Sequence, residues 1–153
     1  MSQTTNAESN KKTVDLATFY IGEALCGMDI LRIQEINKHL KMTKVPQAQE
    51  YVTGILNLRG EIVTVIDFGI KLGLSSTRIS EKTRNIIVNS KDEHVGLLVD
   101  SIADVVQADS DKIEPAPANI GGVKGKYFEG VFKTEKSLIG ILNVEEVLKN
   151  DKG

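Results

Sequence analysis

Few residues in this 153-residue chain have the type and spacing that chemistry requires. The only histidines are His39, in NKHLK, and His94, in KDEHVG, and the only cysteine is Cys26. A metal centre needs three or four converging ligands, and these three residues stand in unrelated contexts, so the sequence offers no metal site. Cys26 alternates with apolar neighbours and reads as a packed core thiol rather than a nucleophile. No serine lies in a nucleophile elbow that would set up a Ser-His-Asp arrangement. Gly121, Gly122 and Gly125 with Lys124 and Lys126 superficially resemble a phosphate cradle, but the strand-loop-helix frame and the GK[ST] ending of a P-loop are missing. Among the carboxylates, Asp67 ends an aliphatic run before FGIKLG, the place of a helix cap, and Asn143 does the same before VEEVLK. Glu146, three residues after Asn143, completes the pattern of a capping box. No catalytic residue and no cofactor are expected. Arg59 remains, in the NLRG of GILNLRGEIVTVIDF (54–68): a working residue, a partner contact, or a solvated turn charge, the last being the simplest reading on physics alone.

The elements that would carry these residues are strands. Cys26, Met28 and Ile30 share a face at period two, as do Ala17, Phe19 and Ile21 before a Gly22-Glu23 turn. Strands near 55–59 and 62–67 flank NLRG, with Gly60 suited to the positive φ that two-residue hairpin turns demand. Ile30, Ile33 and Ile36 repeat at period three, which predicts a helical turn after Asp29 and, by analogy, after Val99, although 31–36 reads equally as an irregular bend. The 107–128 segment, rich in Pro and Gly, predicts a strand near Ile113 followed by a long mobile loop.

The order of these patterns repeats. GMDILRIQEI (27–36) aligns with GLLVDSIADV (96–105), and GILNLRGEIVTVIDF (54–68) with GVFKTEKSLIGILNV (130–144). The collinear pairs predict two related subdomains, about 14–75 and 84–150, after a disordered tail over 1–13. Glu35 and Asp104 recur at matching places, which suits a structural or interface role better than a single active site. Several short strands with Gly-rich turns and no long crossover helix give a mostly β fold of two five-stranded barrels with short helices. Between them lies a groove, with Ile30, Ile33 and Ile86 as rim candidates or core residues.

Composition narrows the function classes. The net charge is −2 and aromatics make up 5%, without Trp, which disfavours nucleic-acid binding. A single cysteine fits a reducing compartment. The polar start MSQTTNAESNKKT lacks a signal-peptide core, and no run is apolar enough to span a bilayer, so a cytoplasmic protein is expected.

At this point the sequence resembles the CheW-type chemotaxis coupling proteins. The stretches that carry the resemblance are FYIGEALCGMDILRIQEI, VPQAQEYVTGILNLRGEIVTVIDFGIKLG, TRNIIV, VGLLVDSIADVV, KIEPAP and GVFKTEKSLIGILNVEEVLK, from about 16 to 149. The most specific is YVTGILNLRG…VIDF. Departures are modest: Thr64, and Gln47 or Gln49, stand where family members often have Pro, and Asn143 where Asp is common. The resemblance implies a single CheW-like domain over 14–150, built of two SH3-like barrels without catalysis. It implies an adaptor linking the cytoplasmic tips of chemoreceptors to the regulatory domain of a histidine autokinase, with assembly into rings or membrane-associated arrays. Carried over by motif position, Ile33, Glu35, Gly54 and Arg59 belong to the receptor-binding region, and Ile86 joins them. Two further readings stand beside it: a small-ligand-binding β-barrel, and a CheW paralogue serving another sensory pathway.

Overall fold

The computed structural model describes residues 12–38 and 41–149, so His39 and residues 1–11 of the tail expected over 1–13 lie outside the described residues. Alternating apolar residues build β1 (Thr13–Ile21), β2 (Ala24–Asp29), β3 (Ile33–Lys38), β4 (Val52–Leu58) and β5 (Glu61–Asp67). A short helix, α1 (Phe68–Lys71), follows β5. The second half repeats the set as β6 (Arg84–Ser90), β7 (Glu93–Val99), β8 (Ser101–Asp109), β11 (Phe128–Lys133) and β12 (Leu138–Leu142), closed by α2 (Val144–Val147). The strands form two five-stranded sheets, in the orders β11-β12-β2-β1-β8 and β3-β6-β7-β5-β4. These are the two SH3-like subdomains of a mostly β fold.

The sheets correct the expected boundaries. Neither half closes a sheet of its own: β1 and β2 pair with β8, β11 and β12, while β6 and β7 pair with β3, β4 and β5. The equivalent strands occupy equivalent places in both sheets, but the last three of each half have changed partners. Parallel pairing joins them, β5 to β7 and β12 to β2. The exchange makes each sheet dependent on both halves. The unit is therefore one interlocked domain.

The exchange also places the core. The largest cluster lies between the sheets, with Phe19, Cys26, Met28, Phe68, Ile86, Val88, Leu97 and Val99 at its centre. Two smaller clusters sit on the opposite sheet faces, one with Leu56, Val63, Val65, Ile87 and Leu98, the other with Leu16, Ala108, Ile139 and Ile141. Successive residues of one strand feed different clusters, which is why Ile86 and Ile87 are both buried.

Other expectations also change. After Asp29 a 3-10 turn runs over Ile30–Arg32 and gives way to β3, whereas after Val99 the chain enters β8 at Ser101 with no helical turn. The tail boundary moves, since Thr13 already belongs to β1. In place of a long loop, 107–128 holds the end of β8, a 3-10 turn, the small hairpin of β9 (Asn119–Ile120) and β10 (Val123–Lys124), and a second 3-10 turn. Near Ile113 there is only an isolated bridge, Glu114 to Val131. The segment is pinned because a Cβ on Gly121 would lie 2.9 Å from Ala24, a close approach that only glycine permits.

Candidate functional site

Both helix caps form. Asp67 Oδ1 accepts from Ile70 N at 3.2 Å, and Asn143 Oδ1 accepts from Glu146 N at 3.1 Å. Asp67 does more than cap: it is buried and also accepts from Thr77 N, Thr77 Oγ1 at 2.7 Å and Ser76 Oγ at 3.0 Å. It thereby fastens the crossing from the first half to the second. The reciprocal part of the capping box is not made, because the Glu146 carboxylate turns to Lys149 Nζ at 3.0 Å. Burial in the inter-sheet core pushes the Cys26 thiol up to about 12, so it is a structural thiol.

The NLRG turn is a two-residue hairpin in which Leu58 pairs with Glu61. Arg59 and Gly60 both have positive φ, 52° and 88°, the combination that matches the twist of the flanking strands. Asn57 Oδ1 stabilises the turn by accepting from Gly60 N at 2.9 Å. Asn, Asp or Gly are the usual occupants of the first position, and a long side chain there is conformationally unfavourable. Arg59 is held there with its side chain largely exposed and its Nη2 2.5 Å from Glu35 Oε2.

Glu35 reaches this point because β3 carries a bulge. Ile33 pairs with Val88 and Glu35 with Ile87, so Gln34 is the extra residue. A bulge re-aims side chains, and here Gln34 and Glu35 line the same cavity instead of opposite faces. The cavity is an open mouth of about 410 Å³ at the end of the second sheet. β3 and β4 are the two edges of that sheet, so the Arg59–Glu35 pair spans its open end. His94 on β7 makes a second crossing: its Nδ1 lies 2.9 Å from Gln34 Oε1, and its Nε2 lies 2.5 Å from Glu61 Oε1.

The other expected site residues have different places. Ile33 is half-buried and packs against the inter-sheet core. Ile86 is fully buried and presents nothing to a partner; it supports β3, to which Ile36 pairs it. Gly54 is buried too, and a Cβ there would stand 2.7 Å from Thr43 O. Its repeat partner Gly130 has the same restriction, 2.7 Å from Glu114 O, so both glycines let a crossing segment pass over the strand. Of the five residues, Glu35 and Arg59 are brought into direct contact. Sequence reasoning missed His94, Gln34 and Glu61, although the repeat carries a signal: His94 aligns with Leu25, a polar residue opposite an apolar one.

The duplication produces a matching mouth on the first sheet, about 430 Å³ in volume. It has the same bulge, with Ala17 paired to Val105 and Phe19 to Ile102. Its chemistry differs. Asp104 stands for Glu35, Glu135 for Arg59 and Ser137 for Glu61, so no opposite charges face each other at those places. Among the described residues no cluster of three or more His, Cys, Asp or Glu could hold a metal ion. The mouth on the second sheet carries charged side chains paired across its rim.

Comparison with known proteins shows what the chain is similar to. The family described as "CheW-like domain" matches residues 15–152. The chemotaxis protein CheW of Helicobacter pylori is 31% identical over 144 residues, covering 94% of this chain and 87% of that protein. Chemotaxis protein CheW of Thermotoga maritima is 30% identical over 139 residues, covering 90% and 89%. The crystal structure of the scaffolding protein TtCheW from Thermoanaerobacter tengcongensis superposes with a TM-score of 0.83 at 31% identity, covering 93% of this chain and 92% of that one.

Proposed function

The chain belongs to the CheW-like domain family, and we propose that, as an adaptor of chemotaxis signalling, it couples the cytoplasmic tips of chemoreceptors to a histidine autokinase. It does so by binding, without catalysis. The receptor tip docks against the second mouth and its flanking strands, where Arg59 and Glu35 form the polar contact and Ile33 supports it from behind. The kinase's regulatory domain meets another face. Coupling then arises because one rigid body holds both partners, and repeated weak contacts give the assembly its stability in rings or arrays. The protein works in the cytoplasm and is recruited to membrane-associated receptors.

The observation that carries this reading is the placement of Arg59. It lies in the most specific stretch shared with the family, in a backbone conformation unfavourable for its side chain, and is aimed across the mouth at Glu35. Strain kept at an exposed position points to use rather than to stability. Titration calorimetry against the isolated regulatory domain of a chemotaxis kinase, and separately against a soluble receptor cytoplasmic fragment, tests the reading. Saturable binding of both is expected. Binding of neither by the folded protein contradicts it.

A further inference from the structure

The two mouths are an internal comparison that the duplication supplies. Their backbones match in strand order and in the position of the bulge, and differ at the tip of the flanking hairpin, where Arg59 and Gly60 have positive φ and Glu135 and Lys136 do not. At the place of His94 the first sheet has Leu25, half-buried, and at the place of Gln34 it has Ala103. A sheet of this construction therefore closes without a polar ring at that position. The fold does not require His94, yet both of its nitrogens face oxygens, one on each side of the mouth.

Those two oxygens belong to neighbours of the docking pair. Gln34 precedes Glu35 on β3, and Glu61 follows the Arg59-Gly60 turn. His94 sits on β7, the central strand, so its ring ties the two edge elements to the middle of the sheet. We propose that His94 is a positioning residue for receptor docking: through Gln34 and Glu61 it fixes where Glu35 and Arg59 stand relative to each other. This rests on the reading of the second mouth as the receptor-docking site. His94 itself need not touch the receptor. Its side chain is one quarter exposed, against nearly three quarters for Arg59.

The test is binding of a soluble receptor cytoplasmic fragment to the full chain, by calorimetry, with thermal melts run alongside. His94→Leu places in the second mouth the residue that the first one carries. It is expected to melt like the wild type and to bind roughly 5- to 10-fold more weakly, the scale of one lost hydrogen bond of ordinary strength. His94→Gln retains a side-chain donor and is expected to restore binding to within about twofold, on the same scale. Because His94 acts through the pair, His94→Leu is expected to add nothing in an Arg59→Ala background, a non-additivity that an independent contact or a general structural role does not produce. Wild-type affinity of His94→Leu, or additive losses in the double variant, overturns the proposal. Arg59→Glu in the same assay separates the two claims. If it loses affinity while His94→Leu does not, the docking reading stands and the positioning role falls. If the receptor fragment binds Arg59→Glu as well as the wild type, the docking reading falls and takes the positioning role with it.

Discussion

Arg59 and Glu35 lie 24 residues apart in sequence, on elements from opposite edges of one five-stranded sheet, and meet across its open end at 2.5 Å. Neither element alone presents the pair. The bulge at Gln34 turns Glu35 toward the mouth, and the positive φ of Arg59 lets the hairpin tip project its guanidinium back over the sheet. The contact is exposed, so its contribution to stability is small, about 0–1 kcal/mol. Its value lies in fixing a charged geometry at the surface.

Reversal of the charge should therefore separate fold from function. Arg59→Glu is expected to shift the melting temperature by no more than about 2–4 °C, the scale of 1 kcal/mol in a chain of this size, and to weaken receptor-fragment binding roughly tenfold or more. Arg59→Asn should weaken binding as well while stabilising the hairpin by a few tenths of a kcal/mol, on the order of a turn-residue improvement. Melting curves beside calorimetry read both effects.

Exchanging the two charges asks which partner the receptor reads. The double variant Glu35→Arg with Arg59→Glu can re-form an ion pair with its polarity reversed. Docking through the arginine at the hairpin tip predicts that it binds as weakly as Arg59→Glu alone. Recovery of affinity in the double variant would show that the pair only braces the mouth.

Gly54 and Ile86 should behave as packing residues. Gly54→Ala drives a methyl toward Thr43 O, and the backbone must move to admit it; overpacking of this kind costs about 1–3 kcal/mol. Ile86→Ala opens the inter-sheet core and is expected to cost about 2–5 kcal/mol. Denaturant midpoints are expected to fall for both, with any loss of binding tracking the loss of folded protein. Reduced affinity at an unchanged midpoint would place them at the docking surface after all.

Cys26 predicts a pH dependence. Its folded value of about 12 stands above the ordinary 9.0, so the proton is held more tightly in the native state. The resulting stabilisation is complete below pH 9 and is lost as the pH rises from there toward 12, because the unfolded thiol ionises first. Native protein at pH 8 is expected to react with a thiol reagent only at the rate of unfolding. Rapid stoichiometric labelling of the native state would contradict the burial on which this rests.

Much of this was legible in the sequence, and what was not has a common cause. Period-two patterns and Gly22, Gly60 and Asn57 mark strands and tight turns, because those signals are local. The repeat showed that Gly54 and Gly130 were equivalent, as were Asp67 and Asn143, and each pair indeed does the same work. Partner choice among strands is not local. Nothing in 14–75 says that β5 lies parallel to β7, whose paired residues stand 31 positions further on, in place of a strand from its own half. Register shifts are equally hidden: a regular β3 would put Gln34 and Glu35 on opposite faces, and only the pairing to Ile87 and Val88 reveals the bulge. His94 was overlooked for both reasons. Its neighbours Gln34 and Glu61 come from strands whose adjacency only the folded sheet defines.

The measurement that bears most directly on the adaptor role is receptor control of kinase activity in a reconstituted system. Receptor-containing membranes and the chemotaxis kinase of the same organism would be assayed for autophosphorylation with and without this chain, and with Arg59→Glu in its place. The account predicts that kinase activity responds to receptor ligand only when the wild-type chain is present, and that Arg59→Glu fails to restore the response while remaining folded. An equal response without the chain, or full coupling by Arg59→Glu, would contradict it.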